Sequence, residues 1–509
     1  MSKAESGVSF GEELDKPREH CALVGFVNFS GEDVVPDVIA SLHDQQNRGE
    51  DGCGVAVLEP YGGQFMVHKA PGLVAQVFSN GRLLESGLSG SVAIGHNRYA
   101  TSGSEDLSEK DKANHLQPYV VSKDRRTIAL AHNGNIPERY LEKLRQELPE
   151  GIPLQSDTDS EIIAWRIMSA QGDSWRDKIA NGLSEVVGAY SLVIATDEGD
   201  LFGIKDPLSI RPLVVARTEN GIALVSESRG LEHVRAEDKK EVGPGKMVHI
   251  DKNGNFSITQ LFPRQEATQK CVVEDIYFKH PYSKEGDLEV REIRQRMGEG
   301  LAKEFPFTTD YTIVGIPDSG IEIAEGYARY LGGNEKGLIK KDRYRPGRTF
   351  ISESSQKRKE MLDLKFTISD SVEGKKIVII DDSVIRGNTT RRLISSLRER
   401  GAAQVHVLSG SPRFINICDM GVDIAALEEL IALKKNGSPN FEEKSDIQIS
   451  QEIGADSVGF LSLDGLINAI GGKSEDFCTN CMTSQHPIHS MSDEQREIVY
   501  SSILPVITK

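Results

Sequence analysis

The chain has 509 residues, more than one compact core usually accommodates, so at least two domains are expected. Its 60 Lys plus Arg against 77 Asp plus Glu give a formal net charge of −17, which disfavours non-specific binding to nucleic acid or to an anionic membrane. No segment is apolar enough to span a membrane, and residues 1–20 lack the apolar centre of a secretory signal. We therefore expect a soluble, cytoplasmic protein that acts on small molecules.

Short apolar runs broken by glycine dominate residues 21–262. They include CALVGFVNF, SVAIGHNRYA, TIALAHNGN and YSLVIAT, and helical patterns follow at residues 161–170 and 176–187. Many short strands with a few helices predict an α+β domain of two stacked sheets with helices on their outer faces, an αββα arrangement. The polar, proline-bearing residues 262–270 are the predicted boundary of this domain.

Strand and helix patterns alternate from about Tyr311 onward, in the order TIVGIP, IEIAEGYARYLG, KIVII, TTRRLISSLRERG and QVHVLSG. This alternation predicts an α/β domain with a parallel sheet and flanking helices. Gly401 stands where a left-handed residue would end the fourth of these segments. The second domain is expected to cover residues 263–509, with a helical appendage after about Asn436.

The most specific segment is IVIIDDSVIRGNTT, residues 377–390. A buried strand delivers Asp381 and Asp382 to its C-terminal end, where open α/β sheets bind their ligands. The loop that follows opens a helix, so its N–H and hydroxyl groups can surround a phosphate. Paired acids alone could simply cap that helix, but the whole string favours a sugar phosphate site with Mg²⁺. It resembles the 5-phosphoribosyl 1-diphosphate (PRPP) signature of type I phosphoribosyltransferases.

That resemblance implies specific roles for residues in three segments. Asp381 and Asp382 would contact the ribose hydroxyls and, with Ser319 of GIPDSG, the Mg²⁺ ion. The loop residues that would bind the PRPP phosphate are Ser383, Arg386, Gly387, Asn388, Thr389 and Thr390, with Asn388 replacing the usual threonine. The segment KDRYRPGRTFI is similar to a mobile loop that closes over PRPP, and it would supply Lys341, Arg343, Tyr344 and Arg348. It has one apparent extra residue relative to that family.

Four dispersed segments carry a second resemblance: CALVGFVNF from Cys21, HNRYATSG, AHNGNI and SDTDSEII. Each is weak alone, because a cysteine before an apolar strand is ordinarily core and HNG is an ordinary turn. In this order they resemble the class II glutamine amidotransferases with an N-terminal nucleophile. The resemblance makes Cys21 the nucleophile and its own α-amino group the base, so residues 1–20 would be a propeptide.

The same resemblance assigns the remaining residues of this site. Arg98 would hold the α-carboxylate of glutamine, and Asp159 its α-ammonium group, with Asp157 as the alternative. Asn133 and the backbone N–H of Gly134 would form the oxyanion hole.

One early segment, QQNRGED at residues 45–51, departs from the pattern of relatives. It has Asn47, Glu50 and Asp51 where histidine, glutamine and glutamate are common. Arg48 and Gly49 remain. We expect the change to affect coupling between the two sites.

Four of the six cysteines remain to be explained once Cys21 is taken as the nucleophile and Cys53 as an ordinary buried thiol. Cys478 and Cys481 form a CxxC, and Cys271 and Cys418 could complete a set of four for zinc or an iron–sulfur cluster; the alternative is unconnected thiols. Their contexts, CVVEDIYFKHP, SPRFINIC and CTNC, are similar to the propeptide-bearing branch of one amidotransferase family, which carries a [4Fe–4S] cluster. This implies a structural cluster that fastens the C-terminal tail.

Both signatures in one chain resemble the amidophosphoribosyltransferase family over nearly all residues after 20. The resemblance implies transfer of the amide nitrogen of glutamine to PRPP at the start of purine biosynthesis, with internal passage of ammonia. It also implies purine nucleotides as feedback inhibitors and a homo-tetramer. Two rival functions are a sugar-amidating or asparagine-forming enzyme that shares the amidase half, and a non-catalytic sensor of PRPP or nucleotide.

Overall fold

A computed structural model describes most of the chain after residue 20. The described residues are 21–60, 63–79, 87–98, 113–265, 267–341, 366–424, 426–436, 440–489 and 491–501. They fall into two compact units. The sandwich unit comprises Arg18–Val290, Ile417–Ala425 and Lys473–Lys509, and the parallel-sheet unit comprises Arg291–Asn416 and Ala426–Gly472.

The strands are numbered β1 to β25 in chain order. Their bounds are β1 Ala22–Asn28, β2 Gly52–Leu58, β3 Phe65–Pro71, β4 Val92–Arg98, β5 Tyr119–Lys123, β6 Arg126–Asn135, β7 Ala189–Thr196, β8 Leu201–Lys205, β9 Val214–Thr218, β10 Gly221–Val225, β11 Ala236–Glu241, β12 Lys246–Ile250, β13 Phe256–Gln260, β14 Lys270–Cys271, β15 Lys284–Glu285, β16 Leu288–Glu289, β17 Tyr311–Gly315, β18 Ile339–Lys341, β19 Phe366–Ile368, β20 Lys376–Asp381, β21 Gln404–Ser409, β22 Leu433–Lys435, β23 Phe441–Glu443, β24 Ser457–Phe460 and β25 Phe477–Cys478.

The described α-helices are numbered α1 to α12 in the same way. Their bounds are α1 Val35–Asp44, α2 Val74–Val77, α3 Glu138–Gln146, α4 Asp159–Ser169, α5 Trp175–Leu183, α6 Val290–Glu304, α7 Gly320–Tyr330, α8 Asn388–Glu399, α9 Asp446–Ile453, α10 Leu463–Ile470, α11 Asn480–Thr483 and α12 Asp493–Ser501. None of these helices is both long enough and apolar enough to cross a membrane.

Two antiparallel sheets stack face to face in the sandwich unit. The first has the strand order β11-β9-β10-β1-β4-β2-β3 and the second β13-β12-β8-β7-β6-β5. Side chains of alternate strand residues point to opposite faces, so Leu23 of β1 packs between the sheets while Val24 packs against α1 on the outer face. Helices α4 and α5 cover the outer face of the second sheet. The predicted αββα arrangement is confirmed.

The parallel-sheet unit is built on four parallel strands in the order β17-β20-β21-β24. The central strand β20 is buried along nearly its whole length, and α8 and α9 pack on the sheet through Leu393, Ile394 and Ile449. Strands that are buried on both faces read as continuous apolar runs, which explains why KIVII was recognisable in the sequence. The predicted parallel sheet is confirmed, and Gly401 has the expected left-handed conformation, with φ of 86°.

Three details of the predicted elements differ from the structure. The helix predicted at 161–170 begins two residues earlier, as α4, and the helix predicted at 176–187 ends at Leu183, because Ser184 is extended and Glu185 has φ of 68°. The chain after Asn436 is not only helical, since β24 adds the fourth strand of the parallel sheet. A four-residue strand is too short to show a periodic pattern. The predicted domain boundaries stay a prediction.

Candidate functional site

Cys21 lies at the edge of the first sheet of the sandwich unit, immediately before β1. The pairing of β1 with β4 sets Ala22 opposite Asn97, which brings the end of β4 next to Cys21. From the second sheet, Asn133 reaches the same place: the Cys21 backbone nitrogen donates to its Oδ1 at 3.3 Å. Asn133 is buried, and its Nδ2 has no hydrogen-bond partner among the described residues. A buried donor without a partner beside a thiol suits a developing oxyanion.

Gly134 follows Asn133 on β6 and cannot be replaced by a larger residue without moving the backbone. Its φ is 149°, and a Cβ atom there would lie 2.0 Å from the Ala189 carbonyl oxygen. Only glycine adopts this conformation without strain. The Ala189 carbonyl therefore occupies the space where a Cβ would stand, and the position is restricted to glycine.

Asp159 opens α4 and faces inward from its N-terminus. The N-cap of this helix is Thr158, whose side chain accepts from the Glu161 N–H, and the Asp159 carboxylate accepts from the Ile136 N–H at 3.0 Å, just beyond β6. Burial raises the pKa of Asp159, but the neighbouring His132, the Ile136 N–H and the Ser160 hydroxyl outweigh it and hold the pKa below its usual value. The carboxylate is therefore ionised at neutral pH and suited to bind a cation.

The other predicted residues of this site differ in their surroundings. Arg98, the last residue of β4, is half-buried near Cys21. The Asp157 side chain is 82% exposed and lies 3.2 Å from His115, whereas the Asp159 side chain is 14% exposed. The arrangement favours Asp159 over Asp157 as the ligand for an ammonium group. Residues 1–20, the predicted propeptide, lie outside the described residues.

Sequence reasoning missed two residues that bear on Cys21. Arg48, noted only as an unchanged member of QQNRGED, donates from Nε to the Cys21 carbonyl at 3.1 Å. The Glu274 carboxylate accepts hydrogen bonds from both terminal nitrogens of Arg48, at 2.9 and 3.0 Å. Arg48 is fully buried, and a buried arginine needs an acidic partner. That requirement was the available signal, but the partner is 226 residues away in the sequence and could not be named.

In the parallel-sheet unit the predicted acids lie at the carboxyl end of β20. Asp381 ends the strand, Asp382 follows it, and both are buried. The Asp382 carboxylate accepts from the Ser319 hydroxyl of the β17–α7 turn and from the Ser383 hydroxyl, the latter at 2.7 Å. Several hard oxygen atoms from neighbouring strand ends thus meet at one edge of the sheet, which is a suitable donor set for Mg²⁺.

The loop after Asp382 leads into α8 through Gly387, whose φ is 76°. A Cβ atom on Gly387 would lie 2.3 Å from Ile431, so glycine permits the close turn that opens the helix. Asn388 and Thr389 form the first turn of α8, at the positive end of the helix dipole, which attracts phosphate. Arg386, a predicted PRPP ligand, is paired with Glu429, whose carboxylate lies 2.8 Å from its Nε.

The predicted mobile loop is only partly described. Lys341, the last residue of β18, lies 2.8 Å from the Asp318 carboxylate beside Ser319. Arg343, Tyr344 and Arg348 lie outside the described residues. The lysine is thus placed at the same edge of the sheet as the predicted phosphate site.

Four distant cysteines of the sandwich unit come together. Cys271 pairs with Cys478 where β14 meets β25, and the thiols of Cys418, Cys478 and Cys481 each have a pKa raised by burial and by the neighbouring cysteines. None is in a disulfide. Burial raises the pKa of Cys418 to about 12, and repulsion from Cys271 adds to the effect. Binding a metal would therefore release protons.

The surroundings of these sulfurs suit thiolates. The backbone N–H of Met420 donates to Cys418 Sγ at 3.4 Å, and backbone N–H groups also reach Cys271 and Cys478. The buried Arg211 guanidinium interacts with Cys271 and Cys418. Hydrogen bonds and a nearby cation stabilise a negatively charged, metal-bound sulfur set. The four thiols are the donor type that an iron–sulfur cluster takes, whereas their sulfurs, all in the described part of the chain, do not form a group within 4.8 Å of one another, as a single zinc ion would need.

Asp419, His486 and His489 form a second group that could hold a metal by proximity alone. Their hydrogen bonds argue otherwise. His486 Nδ1 accepts from the N–H groups of Ile488 and His489, so its proton is on Nε2, which lies 2.6 Å from Asp419. The protonated Nε2 of His486 cannot bind a metal. These three residues are better explained as a hydrogen-bonded group next to Cys418.

Comparison with known proteins matches both units to described families. A family model described as a glutamine amidotransferase domain matches residues 104–233, and one described as a phosphoribosyl transferase domain matches residues 290–409. The chain is 38% identical to an amidophosphoribosyltransferase of Synechococcus elongatus, covering 94% of this chain and 93% of that protein. It is 36% identical to an amidophosphoribosyltransferase of Bacillus subtilis, covering 97% and 99%.

Solved structures agree with the sequence relatives. The glutamine PRPP amidotransferase of B. subtilis, complexed with ADP and GMP, superposes with a TM-score of 0.80 at 34% identity, covering 92% of this chain and 97% of that one. A structure described as the allosteric regulatory enzyme of purine biosynthesis gives a TM-score of 0.81 at 33% identity, covering 95% and 100%.

Proposed function

We propose, because this chain belongs to the amidophosphoribosyltransferase family, that it converts glutamine, PRPP and water to 5-phosphoribosylamine, glutamate and diphosphate, the first step of purine biosynthesis. The observation that carries the proposal is the unpartnered Nδ2 of Asn133 beside Cys21, in a chain that also places Asp381 and Asp382 at a parallel strand end. The match to a phosphoribosyl transferase domain rules out the rival sugar-amidating or asparagine-forming enzyme.

The amide nitrogen is released at Cys21. Removal of residues 1–20 would convert the Cys21 amide into an α-amino group, whose ordinary pKa of about 7.7–8.0 suits a base near neutral pH. The thiol attacks the carboxamide carbon and passes its proton through the amine to the departing ammonia. The oxyanion accepts hydrogen bonds from Asn133 Nδ2 and the Gly134 N–H, and water then hydrolyses the thioester to glutamate.

Glutamine is held by its two charged α-substituents. Arg98 binds the carboxylate through its planar fork, and the ionised Asp159 binds the ammonium group. The half-buried Arg98 near Cys21 and the inward-facing Asp159 support these roles.

The ammonia is consumed in the parallel-sheet unit. Asp381 and Asp382 orient the ribose hydroxyls of PRPP, and residues 383–390 surround its 5-phosphate. Ser319, Asp381 and Asp382 would hold Mg²⁺, which neutralises charge on the diphosphate leaving group. Lys341, Arg343 and Arg348 would add positive charge, and together with Tyr344 they would exclude water, so that ammonia, not water, attacks C1.

We assign a [4Fe–4S] cluster to the four cysteines, because the sequences around them resemble those of the iron–sulfur branch of the family. Cys271, Cys418, Cys478 and Cys481 would bind it, and the cluster would fasten the C-terminal tail to the rest of the sandwich unit. The neighbouring positions of these cysteines and the nearby Arg211 support this assignment.

Three further properties complete the proposal. Purine nucleotides would act as feedback inhibitors, since the related B. subtilis structure was solved with ADP and GMP. The protein would be a cytoplasmic homo-tetramer.

Steady-state turnover with both substrates would exclude the remaining rival, a non-catalytic sensor.

Cys21→Ala should abolish turnover with glutamine and leave turnover with ammonia. We expect the glutamine-dependent rate to fall by roughly 10³-fold or more, because no other group replaces the nucleophile. Phosphoribosylamine formation from PRPP and ammonium chloride at high pH should persist. Loss of both activities would contradict separate sites, and intact mass should show that the active wild-type chain begins at Cys21.

Asp159→Asn should weaken glutamine use and Asp157→Asn should not. Loss of a buried charge partner costs about 2–4 kcal/mol, so kcat/KM for glutamine should fall by roughly 30- to 1000-fold. The ammonia-dependent rate should stay near that of wild type. If the Asp157 variant is the one that fails, the ammonium ligand has been assigned to the wrong acid.

Asp382→Asn should give the opposite pattern. Turnover of PRPP should fall by roughly 10²-fold or more with glutamine and with ammonia alike, because the acid serves the step that both nitrogen sources share. The exposed Asp370→Asn, in the same unit, is the control. A loss confined to the glutamine reaction would place Asp382 outside the transferase site.

Cys478→Ser and Cys481→Ser should remove iron from the protein. Anaerobically purified wild type should contain roughly four iron atoms per chain and absorb visible light, as a [4Fe–4S] cluster does. Cys53→Ser, which removes a buried thiol from the sandwich core, should keep the iron. Zinc in place of iron in the wild-type chain would overturn the cluster assignment and leave a metal site.

A further inference from the structure

A buried charge cluster connects Cys21 to the segment that carries Cys271. Its centre is the Glu274 carboxylate, in a π-helical turn at Glu274–Phe278. Glu274 binds both terminal nitrogens of Arg48 and lies 3.3 Å from a terminal nitrogen of Arg211. All three side chains are at most 3% exposed. Charges so fully removed from water persist only in a fixed, paired geometry.

The fork of Arg48 determines where its third nitrogen points. Because the guanidinium is planar, binding of both terminal nitrogens to Glu274 fixes the direction of Nε. Nε donates to the Cys21 carbonyl at 3.1 Å. The carboxylate of Glu274 thus orients a donor that holds the backbone of the nucleophile.

This restraint matters more once Cys21 is a chain terminus. A terminal residue keeps one flanking peptide bond, so its backbone would rotate more freely than that of an internal residue. The Arg48 contact at the carbonyl and the Asn133 contact at the nitrogen restrain the two ends of the residue. Together they define where the Cβ and the thiol point.

The turn that carries Glu274 is itself held in place from two sides. Asn47, next to Arg48, donates from Nδ2 to Glu227 at 2.8 Å and to the Phe278 carbonyl at 3.0 Å. Arg211 donates to the Met420 carbonyl at 2.8 Å, two residues beyond Cys418. Asn47, one of the three residues that depart from the pattern of relatives, therefore contributes to the same attachment.

We infer that Glu274 is a positioning residue for the glutamine half-reaction, acting through Arg48 on Cys21. This inference rests on the proposed function, since it assumes that Cys21 attacks glutamine. It assigns no role to Glu274 in the transfer to PRPP.

The test compares Glu274→Gln with Asp275→Asn in the full-length protein, with rates expressed per chain that begins at Cys21. The two variants each remove one buried carboxylate from the same turn, but Asp275 pairs with Lys279, at 2.9 Å. For Glu274→Gln, kcat with glutamine should fall by roughly 10- to 100-fold at little change in KM, as expected for a misplaced nucleophile. The ammonia-dependent rate should stay within about twofold of wild type. Asp275→Asn should retain both rates.

Arg48→Lys separates positioning from simple loss of stability. Lysine keeps the positive charge beside Glu274 but has no Nε donor in that geometry, so the variant should lose glutamine turnover while the ammonia-dependent rate, which reports a folded chain, is retained. Parallel loss of both activities and of thermal stability in Glu274→Gln, with a fully active Arg48→Lys, would show that the cluster is only structural. Equal glutamine turnover in Glu274→Gln and Asp275→Asn would also overturn the inference. If the wild-type protein is inactive with both glutamine and ammonia, the proposed function is refuted instead.

Discussion

The contact between the Cys21 backbone nitrogen and Asn133 joins the two sheets of the sandwich unit at the residue proposed to do the chemistry. A nucleophile that uses its own α-amine as base must be held by its backbone, because the attacking thiol and the basic amine belong to the same residue. The stacking of two sheets meets this need. Cys21 lies at the start of β1 in one sheet, and Asn133 and Gly134 lie near the end of β6 in the facing sheet. The proposed glutamine ligands lie close to these strands: Arg98 ends β4, which pairs with β1, and Asp159, at the start of α4, accepts from the Ile136 N–H just past β6.

The parallel-sheet unit brings its predicted ligands together through the arrangement of its strands. Parallel strands all end at one edge, so residues far apart in the chain, such as Ser319 and Asp382, meet without any special arrangement. The positive end of α8 lies next to them because β20 leads into that helix through one short turn at Gly387. Acidic oxygens for a metal and N–H groups for a phosphate are therefore neighbours as a consequence of topology.

Charge burial links the nucleophile to the cysteine set. Arg211, Glu274 and Arg48 are all removed from water, and none of these three charges would be stable alone in the interior. Bringing such distant segments together costs chain entropy, which ion pairs and a bound cluster would help to offset. The Cys271 segment is thereby connected to Cys21, the proposed nucleophile, through Glu274 and Arg48, and the Cys418 segment is connected through Arg211, within a single unit.

The order of the residues was sufficient to predict the family, the stacked sheets, the parallel sheet and the positions of Cys21, Asp381 and Asp382. Each is encoded in short runs of neighbouring residues, whose periodicity or motif can be recognised without knowledge of the rest of the chain. Three features emerge only in the folded chain: β24 joins the parallel sheet, Asp159 faces inward while Asp157 faces solvent, and Glu274 holds Arg48. These depend on residues tens to hundreds of positions apart, and pairing at that range is set by packing and charge burial, which leave no local pattern.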